Sequence, residues 1–246
     1  MTAPRFTVEP HRLDLWLVHS PQGAEAEGLD RSDLDDAERR RAAAFVRPAD
    51  ALLYAASHVA LRRLLGRYTD TAPGLVRFVR ERCVECGGEH GRPAVDSPSP
   101  PLHFSLSHSA GIAVVGIAAV PVGVDVERLP HPATVEFCTP SLHPRERAEL
   151  GAASGTDRTG LFGRIWTRKE AYLKGLGTGL RRPPAQDYLG TDAAGHPAGW
   201  TVLDVPCAPT HVAAAAVRGG PPRTVHVRRL AGEWLRAPTA PALLDA

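Results

Sequence analysis

The segment Leu102–Glu127, LHFSLSHSAGIAVVGIAAVPVGVDVE, decides how the chain folds. It divides into three short runs, LHFSLSHS, IAVVGIAAV and VGVDVE, rich in β-branched residues and bounded by Gly and Pro, which read as three consecutive buried strands. In the last run the two-residue period of a strand sends Val122, Val124 and Val126 to one face and Gly123, Asp125 and Glu127 to the other. Two carboxylates on one strand face have two readings. One is an exposed face with ordinary charges. The other is a cation site, favoured by the apolar surroundings, where unpaired carboxylates would be costly.

Upstream of this segment, LDLWLV (Leu13–Val18) alternates as a strand, and two helices follow, around Leu34–Arg47 and Asp50–Tyr68. A short strand (Val76–Glu81), a Cys/Gly-rich turn and a Pro/Ser-rich connector (Ser97–Pro101) complete the first part. Downstream come a helix after Ser141, a long helix from Thr159 to Leu176, and the strands WTVLDV and HVAAAAV. The order of elements repeats, which predicts an α+β fold of two similar halves of about 120 residues, their sheets side by side. The N-terminal half is placed at residues 1–120 and the C-terminal half at 121–235, with a loose Pro/Ala-rich tail over 236–246.

The long helix carries WTRKEAYLKGLGTGL (Trp166–Leu180), in which Trp166, Glu170 and Lys174 recur every four residues and form one stripe, with Lys169 beside them. Taken alone, Glu170 and Lys174 are a surface pair. Taken with Asp125 and Glu127, Glu170 completes a set of three acidic donors from two elements. Such a set suits Mg²⁺, which usually draws further ligands from water and a substrate phosphate. Gly175, Gly177 and Gly179 follow a helix instead of opening one, so they are no dinucleotide fingerprint. They terminate the helix and leave room for a ligand arm or partner close to the backbone, with Lys174 poised to meet phosphate oxygens.

Four cysteines in 246 residues do not make a disulfide framework. CVECGGEH presents Cys83, Cys86 and His90 at a spacing that suits zinc, but only three ligands are local and Cys138 and Cys207 have no assigned place. The preferred reading is a reduced, Gly-rich turn. A net charge of +2 and 6% aromatic content give no nucleic-acid footprint, which weighs against a Mg²⁺-dependent nuclease, the rival enzyme class. A binding module without chemistry is the other rival, and retention of all three acids with Lys174 argues against it. The run Ser109–Val124 is too short and too broken by Gly and Pro to cross a bilayer, and no charged-then-apolar leader opens the chain. The expectation is a soluble cytoplasmic protein that binds neither membrane nor nucleic acid.

FSLSHS (Phe104–Ser109), GVDVE (Gly123–Glu127) and Trp166–Leu180, in this order and at these separations, resemble the phosphopantetheinyl transferases of the surfactin-synthetase-activating type. EHGRP (Glu89–Pro93) resembles a fourth, weaker element of that family. The resemblance implies a pseudodimer of two α+β halves with coenzyme A in the cleft between them. The reaction implied is Mg²⁺-dependent transfer of the phosphopantetheine arm to a serine of an acyl or peptidyl carrier protein, releasing adenosine 3′,5′-bisphosphate. By the motif match Asp125, Glu127 and Glu170 bind the metal, and Glu170 or a water it orients takes the serine proton. Lys174 contacts the pyrophosphate and serves the leaving group, Lys169 is a supporting phosphate contact, and Ser107 and His108 meet the nucleotide 3′-phosphate. Arg92, a further contact to the coenzyme A phosphate, stands where the family more often has Lys. Arg41, Arg47 and Arg62 are candidate phosphate contacts that a solvated basic face explains equally well. The two-half organisation implies a monomer acting on carriers of secondary metabolism.

Overall fold

The computed structural model describes residues 6–98 and 101–236. The expected loose tail therefore lies, past Arg236, outside the described residues, as do two positions of the Pro/Ser connector. In chain order the elements are strand β1 (Arg12–His19), the one-turn helix α1 (Ala24–Glu27), helices α2 (Asp36–Ala43) and α3 (Pro48–Thr69), and strands β2 (Phe78–Arg80), β3 (Pro93–Val95), β4 (His103–Ser109), β5 (Ile112–Ala118) and β6 (Val122–Arg128). Helices α4 (Pro132–Cys138), α5 (Pro144–Ala152) and α6 (Gly155–Leu176) follow, then strands β7 (Trp200–Asp204), β8 (His211–Arg218) and β9 (Thr224–Arg229). The fold is α+β.

The first sheet has the order β4-β5-β1-β9 and the second β6-β8-β7, while β2 and β3 form a separate pair. A β–α–β–β sequence occurs twice, as β1–α3–β4–β5 and β6–α6–β7–β8, with corresponding strand orders β4-β5-β1 and β7-β8-β6 and antiparallel neighbours throughout. Both long helices have 22 residues. Strand β9 stands outside this repeat. It lies in the range expected for the second half yet pairs in parallel with β1, from Arg12↔Thr224 to Leu17↔Arg229, and so covers an edge of the first sheet that would otherwise be open.

Alternation along the strands partitions the core. Ala113, Val115 and Ile117 of β5 pack with Ala56, Val59, Ala60 and Leu64 of α3. Ile112, Val114 and Ala118, on the other face of β5, meet Val122, Val124 and Val126 of β6 and Ala213, Ala215 and Val217 of β8. The two sheets thus share an apolar face, besides the lateral contact in which Ser105 Oγ of β4 accepts from Val124 N of β6 at 3.0 Å. Helix α6 covers the opposite face of β6. A Cβ on Gly123 would stand 1.9 Å from Ala171 O, so only glycine lets the helix lie this close to the strand.

The helix expected over residues 34–47 is shorter, because Asp35 caps α2 with a reciprocal bond to Glu38 and Pro48 begins α3 at its first turn, where a missing N–H costs nothing. Helix α4, the single-turn α1 and the strands β3 and β9 were not anticipated. No helix among the described residues is long and apolar enough to cross a membrane.

Candidate active site

Strand β6 carries Asp125 and Glu127 on the face opposite its core valines, and α6 crosses that face at Gly123. This juxtaposition brings Glu170, one turn before Lys174, to the two strand acids. Asp125 is almost fully buried, and its Oδ1 accepts from Lys174 Nζ at 2.6 Å and from Ser107 Oγ at 2.8 Å. Lys174 Nζ also lies 2.9 Å from Ser107 Oγ. Glu127 Oε2 accepts from Ser109 Oγ at 2.7 Å. Ser107 and Ser109 share a face of β4, so the strand beside β6 supplies the hydroxyls that orient both carboxylates.

Burial drives the Glu170 carboxyl above its ordinary range, and the charges of Asp125 and Glu127 add to the rise, with Lys174 opposing. Glu127 moves the same way, first through burial and then through Asp125, against its bond to Ser109 and the charge of Lys174. Three clustered carboxylates thus face one ammonium, an imbalance that a low-dielectric site tolerates poorly. Asp125 Oδ2 is buried and has no hydrogen-bond partner among the described residues. An unpartnered anionic oxygen beside two more carboxylates is a donor set that fits a hard divalent cation such as Mg²⁺.

A cleft of 760 Å³ opens beside this cluster. One wall comes from the first half, with Arg41, Tyr54, His58 and His108, and the other from Lys174 and the loop Gly177–Gly179. Gly177 ends α6 with φ +79°, and its N–H and that of Thr178 both reach Leu173 O. A Cβ on Gly177 would come within 3.0 Å of Arg92 N, so the helix terminus lies tight against the residue that precedes β3. The expected helix-ending role is present, while the backbone that passes close to this glycine is the chain's own at Arg92.

The cation contacts expected from sequence divide three ways. Arg92 and His108 line the cleft, as does Arg41. Arg92 Nη1 donates to Gly175 O at 2.5 Å and Nη2 pairs with Glu81 at 2.7 Å, so the guanidinium ties the two walls together. Burial, followed by His58 and Lys174, holds His108 below the ordinary imidazole range; it is neutral near physiological pH and offers a hydrogen bond instead of a charge.

Ser107 does not accompany His108, because neighbouring strand residues point to opposite faces, and its hydroxyl is committed to Asp125 and Lys174. Lys169 is a correction. It is buried, pairs with the fully buried Glu146 at 2.8 Å, and donates to Pro184 O at 2.7 Å and Asp187 O at 2.6 Å, which occupies its three protons away from the cleft. One residue along a helix is a 100° turn, and this separates Lys169 from the Glu170 face. Arg62 is likewise structural: it is buried between Glu38 (2.6 Å) and Asp35 (2.7 Å) and donates to Val76 O. Arg47 is exposed at the start of α3 and does not line the cleft.

Sequence reasoning missed Tyr54 and His58. Their rings stack at 3.9 Å, and Tyr54 meets His108 edge-on at 6.0 Å. Their i,i+4 spacing within the apolar run of α3 was the available signal.

Residues 121–210 match the model of the 4′-phosphopantetheinyl transferase superfamily. HetI of Nostoc sp., a 4′-phosphopantetheinyl transferase, is 29% identical over 230 residues, covering 88% of this chain and 92% of HetI. The 4′-phosphopantetheinyl transferase Sfp of Bacillus subtilis is 25% identical over 146 residues, 59% of this chain and 61% of Sfp. The protein slr0495 of Synechocystis sp. is 31% identical over 150 residues, 60% of this chain and 58% of that protein. The alignments thus span less than two thirds of slr0495 and Sfp and most of HetI. The chain is similar to 4′-phosphopantetheinyl transferases over most of its length, and residues 121–210 carry the match to their superfamily.

Proposed function

We propose that this protein transfers the 4′-phosphopantetheine arm of coenzyme A to a serine hydroxyl of an acyl or peptidyl carrier protein and releases adenosine 3′,5′-bisphosphate. The observation that carries the reading is the buried, unpartnered Oδ2 of Asp125 beside Glu127 and Glu170, with Lys174 joining this cluster to the cleft. Asp125, Glu127 and Glu170 would hold Mg²⁺, which supplies charge neutralisation to pyrophosphate oxygens.

In the transfer, a bond forms between the carrier serine Oγ and the phosphorus on the pantetheine side of the pyrophosphate. The bridging P–O bond breaks, and its electron pair leaves on the nucleotide phosphate. The serine proton passes to Glu170 or to a water that Glu170 orients. Lys174 reaches from Asp125 to the cleft and neutralises the leaving oxygen. His108 and Arg41 are the contacts for the nucleotide end, and the aromatic rings of Tyr54 and His58 wall it.

The repeated β–α–β–β unit supports a pseudodimer whose cleft needs no second subunit, hence a monomer of the surfactin-synthetase-activating type, acting on carriers of secondary metabolism. Residues 1–120 supply the nucleotide side and 121–235 the acids, apart from β9. A reducing, cytoplasmic setting suits four cysteines that are not joined in disulfides.

The test is intact-mass measurement of apo acyl and peptidyl carriers after incubation with coenzyme A and Mg²⁺. Carriers should gain one phosphopantetheine, and Asp125→Ala should slow the gain by about 10²–10³-fold, the size of a lost charge-stabilising group. No gain on any carrier of either class would sink the reading.

A further inference from the structure

The turn between β2 and β3 brings Cys83 Sγ, Cys86 Sγ and a ring nitrogen of His90 within 4.8 Å of one another. Cys86 Sγ lies 2.9 Å from His90 Nε2. Around a tetrahedral Zn²⁺, bonds of about 2.3 Å to sulfur and about 2.0 Å to nitrogen set the two ligand atoms about 3.5 Å apart, so a small opening of this pair admits the ion. The backbone is already folded for the purpose. Cys83 N donates to Gly88 O at 2.8 Å, and Gly87 N, at φ +69°, returns to Cys83 O at 2.8 Å. The N–H groups of Cys86 and Glu85 point at the Cys83 sulfur.

This turn has little else to hold it. Strands β2 and β3 have three residues each, and Val84, Cys86 and His90 are exposed. Yet it ends in Gly91–Arg92, the segment that ties the cleft walls together, through Gly91 N to Glu81 O (2.9 Å) and Glu81 N to Arg92 O (3.1 Å). The far wall also reaches the turn: Arg182 pairs with Glu85 at 3.3 Å, and Arg181 Nη1 lies 3.9 Å from Cys86 Sγ.

We propose that Cys83, Cys86 and His90 bind one Zn²⁺, with solvent as fourth ligand, and that the ion staples the 81–92 turn so that Arg92 is held at the cleft. Two cysteine thiolates and an imidazole select zinc over the hard cation that the carboxylate cluster fits, so the two sites do not compete. Cys138 and Cys207 pack against other apolar clusters and complete neither site. Binding releases the remaining thiol protons to solvent, with no change of oxidation state.

Elemental analysis of the full chain, purified without chelator, should find one zinc per chain. After the metal is stripped, added Co²⁺ should produce the thiolate-to-cobalt charge-transfer and visible bands of a tetrahedral sulfur site. Cys86→Ser should lose these bands and weaken metal affinity by on the order of 100-fold or more, whereas Cys207→Ser should keep both. Hydrogen exchange of the 81–92 amides should be slower in the zinc-loaded protein than in the stripped one.

Wild type with no zinc and no cobalt–thiolate bands overturns the site, whether its thiols are found reduced or joined as a Cys83–Cys86 disulfide. So does zinc retained in full by Cys86→Ser. Identical exchange with and without zinc overturns the staple. None of these measurements requires phosphopantetheine transfer, so their failure and failure of the proposed activity are distinguishable.

Discussion

At the scale of single residues, the cleft separates groups that the sequence lists together. Ser107 and His108 are neighbours in the chain, but the first holds Asp125 and the second faces the cleft. His108 is neutral and makes no ion pair among the described residues, so its removal should act mainly on the ligand. His108→Ala should raise KM for coenzyme A by about tenfold, or ~1.4 kcal/mol, with little change in kcat. It should leave KM for dephospho-coenzyme A nearly unchanged. Arg92→Ala, which also breaks the ties to Glu81 and Gly175, should impair both substrates. Steady-state kinetics with the two substrates tests this, and an equal loss on both for His108→Ala would remove it from the 3′-phosphate. Lys169 makes the opposite case. Lys169→Met should keep kcat/KM within about twofold but strand the buried Glu146 and lower stability by about 3–5 kcal/mol. Lys169→Met combined with Glu146→Gln should recover much of that loss in thermal unfolding.

Among the elements, α6 on β6 is the contact that makes the site. The helix descends onto the strand because Gly123 has no side chain, and the same approach brings Glu170 to Asp125 and Glu127. Gly123→Ala would drive a methyl into Ala171 O. It should cost about 1–3 kcal/mol or more of stability, and should lower kcat far more than it raises KM for coenzyme A, since the helix must shift away from the acids. Thermal unfolding together with turnover checks both arms, and unchanged turnover would show that the acid geometry tolerates the shift. The strand and the helix were each legible beforehand from period two in VGVDVE and period four in Trp166, Glu170 and Lys174. The closeness of their approach was not, because a glycine in a strand does not say which backbone will pass over it. Strand β9 escaped notice for a related reason: TVHVRR is short and only two of its residues are apolar, and its place was decided by the open edge of β1.

For the whole molecule, the clustered acids couple folding to pH. Glu127 and Glu170 have pKa values raised in the folded protein, so between the ordinary carboxylate range and these higher values the folded state binds more protons than the unfolded chain. Stability in the absence of divalent metal should therefore fall as pH rises through that window, and what the protonated acids contribute should be fully present below it. Glu170→Gln removes one charge from the cluster. With chelator near neutral pH it should raise the unfolding temperature by about 2–4 °C, the size of a ~1 kcal/mol change in a chain of this length. The gain should vanish at acid pH, and Mg²⁺ should stabilise wild type more than the variant. Calorimetric scans across pH, with and without Mg²⁺, test this; a variant less stable than wild type near neutrality would show that Glu170 is not repelled by its neighbours.

Local pattern alone determined the strands of residues 102–127, the long helix, the doubled order of elements, and the identity of the three acids and Lys174. These follow from short-range periodicity and from charges placed where an unpaired charge is costly. Other properties depend on which face each element turns to its neighbour. The diversion of Lys169 to Glu146, the burial of Arg62, the aromatic wall of Tyr54 and His58, and the tie from Arg92 to Gly175 all join residues distant in the chain. The spacing of Cys83, Cys86 and His90 was visible in the sequence, but the convergence of their ligand atoms belongs to the folded turn. Such contacts cannot be read from periodicity, because a helix or strand repeats along itself and carries no record of what packs against it.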